Sequence, residues 1–113
     1  MMAGQVMKKQ FLVAMALTLI AGSALAANPE AGKKFAGEVC VACHGIDGNS
    51  TNPDYPKLGG QHPDYLAKAL RDYQSGARNN AIMKGFSAML KAEDIENVAA
   101  WYASQPQVLT THR

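Results

Sequence analysis

Apolar residues recur at helical spacing in two segments of this chain, and nowhere do they alternate over a length that would make a useful strand. In the first segment Tyr65, Leu66, Ala69, Leu70 and Tyr73 share one face, while Asp64, Lys68, Arg71 and Asp72 occupy the other. Pro63 opens it and Gly76 closes it. In the second, Ile95, Val98, Ala99 and Tyr102 fall at i, i+3, i+4 and i+7, which predicts a helix from about Ala92 to Gln105, stopped by Pro106. Glu93 and Asp94 suit the positive end of its dipole. A third helix is announced by its cap: Asn28 as N-cap and Pro29 at the first helical position predict a run to about Cys43. Gly32 inside that run lowers helix propensity and marks a place where another helix crosses closely. Residues 45–61 are rich in Gly, Asn, Pro and Asp without any period and read as a loop; Arg78 to Leu90 reads as a second irregular stretch. The predicted class is all-α, with no internal repeat.

Ahead of this body, residues 1–26 read as an export signal that is cleaved. Lys8 and Lys9 form its basic region, Phe11 to Ile20 its apolar region, and Ala24-Leu25-Ala26 the small-x-small pattern for cleavage. Met7, directly before the lysines, offers an alternative start. As an uncleaved anchor the stretch from Phe11 to Ala27 falls short of the ~20 residues a span needs, and Thr18, Gly22 and Ser23 interrupt it. The expectation is a soluble exported protein, residues 27–113 forming one domain, without stable membrane insertion.

Losing the signal removes two lysines, so a net charge of +2 becomes zero, nine Lys and Arg facing nine Asp and Glu. A nucleic-acid binder would need a basic stripe with net positive charge, and none is present. A domain this short is also marginal for a core made of side chains alone.

Cys40-Val41-Ala42-Cys43-His44 supplies what the core lacks. C-x-x-C-H is the attachment pattern of a covalently held c-type haem. On a helix Cys40 and Cys43 lie one turn apart on one face, so both sulfurs reach one porphyrin edge, and His44 follows where its imidazole turns toward the iron. A zinc site wants four ligands, or three and water, and the remaining candidates are His62, His112 and scattered carboxylates. A thioredoxin-type pair expects a neighbouring βαβ pattern, and a disulfide across two residues closes almost no loop. The reading is one haem c joined through Cys40 and Cys43, with His44 on the iron. Buried among apolar side chains, a porphyrin would be the largest piece of the core.

The second axial position has three candidates, Met83, Met89 and His62, because every other methionine lies in the signal segment. Met83 is preferred as mid-loop, where backbone can carry its sulfur over the ring. Met89, beside Leu90, reads as core, and His62, before Pro63, as a helix-start residue. From the residues alone, ligation and packing stay equally open for Met83. Tyr55, Tyr65 and Tyr73 read as pocket or helix-face packing; Lys57, Arg71 and Arg78 are candidate partners for a haem propionate, though single charges usually mark a solvated face.

Three stretches carry a family resemblance: Cys40 to Asn49, Tyr55 to His62, and Asp94-Ile95 through Ala99-Ala100-Trp101-Tyr102. Together they resemble one domain of the dihaem cytochrome c4 family and related monohaem class I cytochromes c, over essentially the whole of residues 27–113, with a single C-x-x-C-H. The resemblance implies a small cytochrome c fold, three main helices and loops around one haem, with the first and last helices crossing near Gly32 and Trp101. It implies Met83, within Ile82-Met83-Lys84-Gly85, as the axial thioether, and Pro56 as the residue whose carbonyl accepts a hydrogen bond from the haem-binding imidazole. Lys91 stands where the family usually has Ser or Thr, so a side-chain cap is lost, and Trp101 stands where Tyr is common.

A His/Met-ligated iron has no vacancy for substrate, which points to electron transfer and not to an enzyme. The expected function is a periplasmic one-electron carrier with redox-protein donors and acceptors, respiratory complexes or oxidases among them. Two alternatives share its motifs: a haem subunit held permanently in an exported redox enzyme, and a gas-binding or sensing haem whose Met83 dissociates. Pairing of two copies as a weak homodimer stays open.

Overall fold

In the computed structural model, which describes residues 26–109, Asn28 starts the first helix as its sequence requires: its side chain accepts from the backbone N–H groups of Glu30 and Ala31 at 3.1 and 3.3 Å. Helix α1 (Pro29–Phe35) runs on into a π-helical stretch (Ala36–Cys40) and then α2 (Val41–His44). Gly45 ends this run at φ 78°, a left-handed value that a side chain would resist. A long loop leads to α3 (Pro63–Ser75), followed by α4 (Ala81–Ser87) and α5 (Ala92–Ala103). Among the described residues there is no strand, and the all-α class holds. The expected export signal, residues 1–26, lies outside them except for Ala26, as does His112.

Helix α4 corrects the expectation that Arg78 to Leu90 is irregular. Its N-cap is Asn80, whose side chain accepts the Met83 N–H at 2.9 Å. Gly85 and a length of two turns hid it from a periodicity reading. Helix α5 stops at Ala103, short of Gln105, and Lys91 gives it no side-chain cap; the Asp94 carboxylate accepts the Lys91 N–H at 2.9 Å instead, which satisfies one donor at that end.

Gly32 is the crossing point of α1 and α5, because a Cβ there would fall 1.9 Å from the Asn97 carbonyl oxygen. The contact sits at Asn97 and Val98, one turn before Trp101, where the resemblance had put it. Asn97 is buried beside it, and its side-chain oxygen accepts the Asn28 N–H at 2.7 Å. The buried apolar core is Ala36, Leu66, Ala67, Leu90, Ile95, Val98, Ala99 and Tyr102. Three of these eight are alanines, so protein side chains alone fill little volume. Met89 is 59% exposed and does not belong to that core, contrary to expectation.

Polar ties complete the frame. The Gln74 amide donates to the carbonyls of Ser87 and Leu90 at 2.7 and 2.9 Å, fixing the end of α4 against α3. Arg71 pairs with Glu96 and so links α3 to α5. Asn49 grips the chain beyond α5: its amide nitrogen donates to the Pro106 carbonyl at 2.8 Å and its oxygen accepts the Val108 N–H at 3.1 Å. No helix of the described residues is long and apolar enough to cross a membrane.

Candidate cofactor site

The π-helical stretch delivers Cys40, and α2 delivers Cys43 and His44, to one side of the helical body. Both cysteines are half-buried and not bonded to each other. Burial pushes the Cys40 thiol above its ordinary range, with Tyr102 pulling partly the other way by hydrogen bonding and the neighbouring Cys43 adding to the rise. A neutral thiol suits apolar surroundings. Among the described residues no three His, Cys, Asp or Glu side chains converge as a zinc site would need.

His44 is buried, and its Nδ1 lies 2.9 Å from the Pro56 carbonyl oxygen. A carbonyl only accepts, so Nδ1 carries the hydrogen and the lone pair belongs to Nε2. That is the tautomer a metal-binding imidazole needs.

Two adjoining cavities, of about 260 and 150 Å3, meet here, and both are lined by Cys40, His44, Pro56, Tyr73 and Met83. Leu66, Ala69 and Leu70 of α3 with Val98 and Ala99 of α5 wall the larger one. Val39, Cys43, Tyr55, Ile82 and Phe86 wall the smaller. The apolar face of α3 read from the sequence is therefore spent on the cavity as much as on the core. Lys57 and Arg78 reach the larger cavity; Arg71 does not. Met83 arrives on α4 and not on a free loop, while Met89 and His62 line neither cavity.

These residues fit a porphyrin. Two cysteines one turn apart border an apolar hollow, an imidazole already holds its outer nitrogen in a hydrogen bond, and a thioether borders the same hollow. The hollow also occupies the place where a core with so few large side chains is deficient.

Sequence reasoning missed the polar work of two aromatic residues. Trp101 Nε1–H donates to the Ile46 carbonyl at 2.7 Å, and Tyr102 Oη–H donates to the Gly45 carbonyl at 3.1 Å. Periodicity reported Tyr102 as a core residue, and its hydroxyl leaves no trace in that pattern. Burial, first, and then the neighbouring Cys40 push its phenol well above the usual range.

Comparison with known proteins agrees with this geometry. The family model described as Cytochrome c matches residues 29–105. Cytochrome c4 of Pseudomonas aeruginosa is 42% identical over 97 residues, 85% of this chain and 48% of that protein. Cytochrome c-554(548) of Halomonas halodenitrificans is 44% identical over 82 residues, 66% of this chain and 99% of that protein. The crystal structure of reduced recombinant cytochrome c4 from Pseudomonas stutzeri superposes with a TM-score of 0.67 at 40% identity, covering 72% of this chain and 47% of that one. The chain thus spans about half the length of the cytochrome c4 relatives it matches. With its paired cysteines set against a fitting apolar hollow, the chain belongs to the cytochrome c family, and its cofactor is haem c joined through Cys40 and Cys43.

Proposed function

We propose that this protein is a one-electron carrier of the periplasm, with His44 and Met83 as the two axial ligands of its haem iron and Pro56 orienting His44. The observation that carries the reading is the hydrogen bond from His44 Nδ1 to the Pro56 carbonyl at 2.9 Å, beside cavities that Met83 also lines. Haem c supplies a one-electron iron couple when bound. The chain's residues decide how that couple is used. Held by Pro56 at its outer nitrogen, a ligating His44 would support ferric iron, whereas a thioether from Met83, a soft ligand, would favour ferrous iron and raise the potential. With both positions filled by protein, no site remains for a substrate, which suits transfer and not bond-making. The export signal read in residues 1–26 supports the periplasmic location.

Val41 and Ile46, both exposed, flank the attachment motif and offer an apolar contact for a redox partner. Such encounters bury under ~1,200 Å2. With positive and negative side chains in balance over residues 27–113, docking rates depend only modestly on salt. An optical redox titration, with carbon monoxide added to the reduced protein, tests the assignment. A single one-electron transition and no carbon monoxide adduct are expected; a stoichiometric adduct would mean an open or labile sixth position and overturn it.

One observation favours the second reading, a haem subunit held permanently by a larger exported enzyme. Met89, 59% exposed just beyond α4 and outside both cavities, offers such an enzyme a large apolar contact. Size-exclusion chromatography of native extracts separates the two: a carrier elutes alone, a subunit with its catalytic partner.

A further inference from the structure

The loop that carries Pro56 begins and ends on the same turn of α5. At its start Trp101 holds the Ile46 carbonyl and Tyr102 the Gly45 carbonyl, at 2.7 and 3.1 Å. At its end the Gly60 N–H donates to the Tyr102 carbonyl at 3.0 Å. Within it, the Gly48 carbonyl accepts the N–H groups of Leu58 and Gly59 at 2.7 and 3.1 Å, which folds the intervening residues, Pro56 among them, back toward α2. Gly45 directly follows His44, and Pro56 accepts the His44 Nδ1–H. The backbone that bears the imidazole and the carbonyl that aims it are therefore anchored to two consecutive residues.

We propose that Trp101 and Tyr102 are positioning residues for His44: by pinning both ends of the loop they hold the His44–Pro56 hydrogen bond, and through it they set the reduction potential of the haem. The proposal rests on His44 being an axial ligand. A hydrogen bond at the outer nitrogen raises the basicity of a ligating imidazole. More basic, it stabilises ferric iron relative to ferrous. Slack in the loop weakens that bond and shifts the equilibrium toward the reduced state. Trp101 is itself braced, with Lys33 Nζ 5.2 Å from its ring centroid. Tyr102 is 2% exposed, so its phenyl ring packs whether or not its hydroxyl is present.

The test uses the holoprotein and three variants, Trp101→Phe, Tyr102→Phe and Ile95→Val. The last thins the core without touching the loop. Two quantities are read in each: the reduction potential by optical titration, and the exchange rate of the His44 Nδ1 proton by NMR. Both aromatic variants are expected to speed that exchange and to favour reduction by severalfold, up to about tenfold, which for one electron is ~59 mV. Ile95→Val is expected to lower the melting temperature and move neither quantity. If the aromatic variants lose stability while potential and proton exchange stay at the parent values, the pair only packs and the proposal fails. Should Tyr102→Phe yield no holoprotein, Trp101→Phe decides alone, since its ring is partly exposed. Failure of the ligand assignment is visible earlier, as a parent spectrum without a histidine-ligated haem.

Discussion

Met83 and Met89 sit in the same short region of chain and meet opposite surroundings. Met83 lines both cavities, whereas Met89 is 59% exposed and lines neither. Met83→Ala is expected to open the haem to carbon monoxide and to lower the reduction potential by more than tenfold in equilibrium constant, ~59 mV. Met89→Ala is expected to leave the optical spectrum and the potential unchanged. Redox titration of the two purified variants side by side checks both outcomes. At this scale the sequence was most legible where side chains do the chemistry: the spacing of Cys40, Cys43 and His44 is itself the signal. Pro56 was not legible from spacing. It contributes a backbone carbonyl, which every residue has, to a histidine twelve positions away, and only family resemblance pointed to it.

Helices were legible in proportion to their caps and their periodicity. Asn28-Pro29 located the start of the helical run through α1 and α2, which ends at His44, one residue beyond Cys43, and the repeat through Ile95, Val98, Ala99 and Tyr102 located α5, which ends two residues before Gln105. Two features escaped. Helix α4 is too short for a period to declare itself, and the π-helical turn at Ala36–Cys40 has no compositional mark. Gly32 was read correctly as a crossing, and the structure gives it a magnitude. A methyl group there meets the Asn97 carbonyl at 1.9 Å, and because the obstacle is backbone, α1 and α5 must separate. Gly32→Ala is expected to cost ~3 kcal/mol, the upper end of overpacking. Denaturant unfolding of the ferric holoprotein measures it, and a loss under ~1 kcal/mol would show that the helices yield easily.

For the molecule as a whole, the decisive quantity is how little the chain buries without its cofactor. Three alanines stand among eight buried apolar residues, and the walls of α3 and α5 that remain face the hollow. Cys40→Ala combined with Cys43→Ala is therefore expected to lose most helical circular dichroism and its cooperative melt. A native spectrum with a sharp transition would mean that side chains suffice. Asn49 adds a different vulnerability. Its amide nitrogen donates to the Pro106 carbonyl and, at 3.2 Å, to the Asp47 carbonyl, while its oxygen accepts the Val108 N–H, and no other uncharged side chain of that length does both. It is followed by Ser50, a small neighbour that leaves the amide open to slow hydrolysis. Deamidation would turn the donor into a second acceptor and set a carboxylate against a carbonyl. Stored protein should thus age from this point outward, the stretch after α5 becoming protease-sensitive while the haem spectrum is still intact.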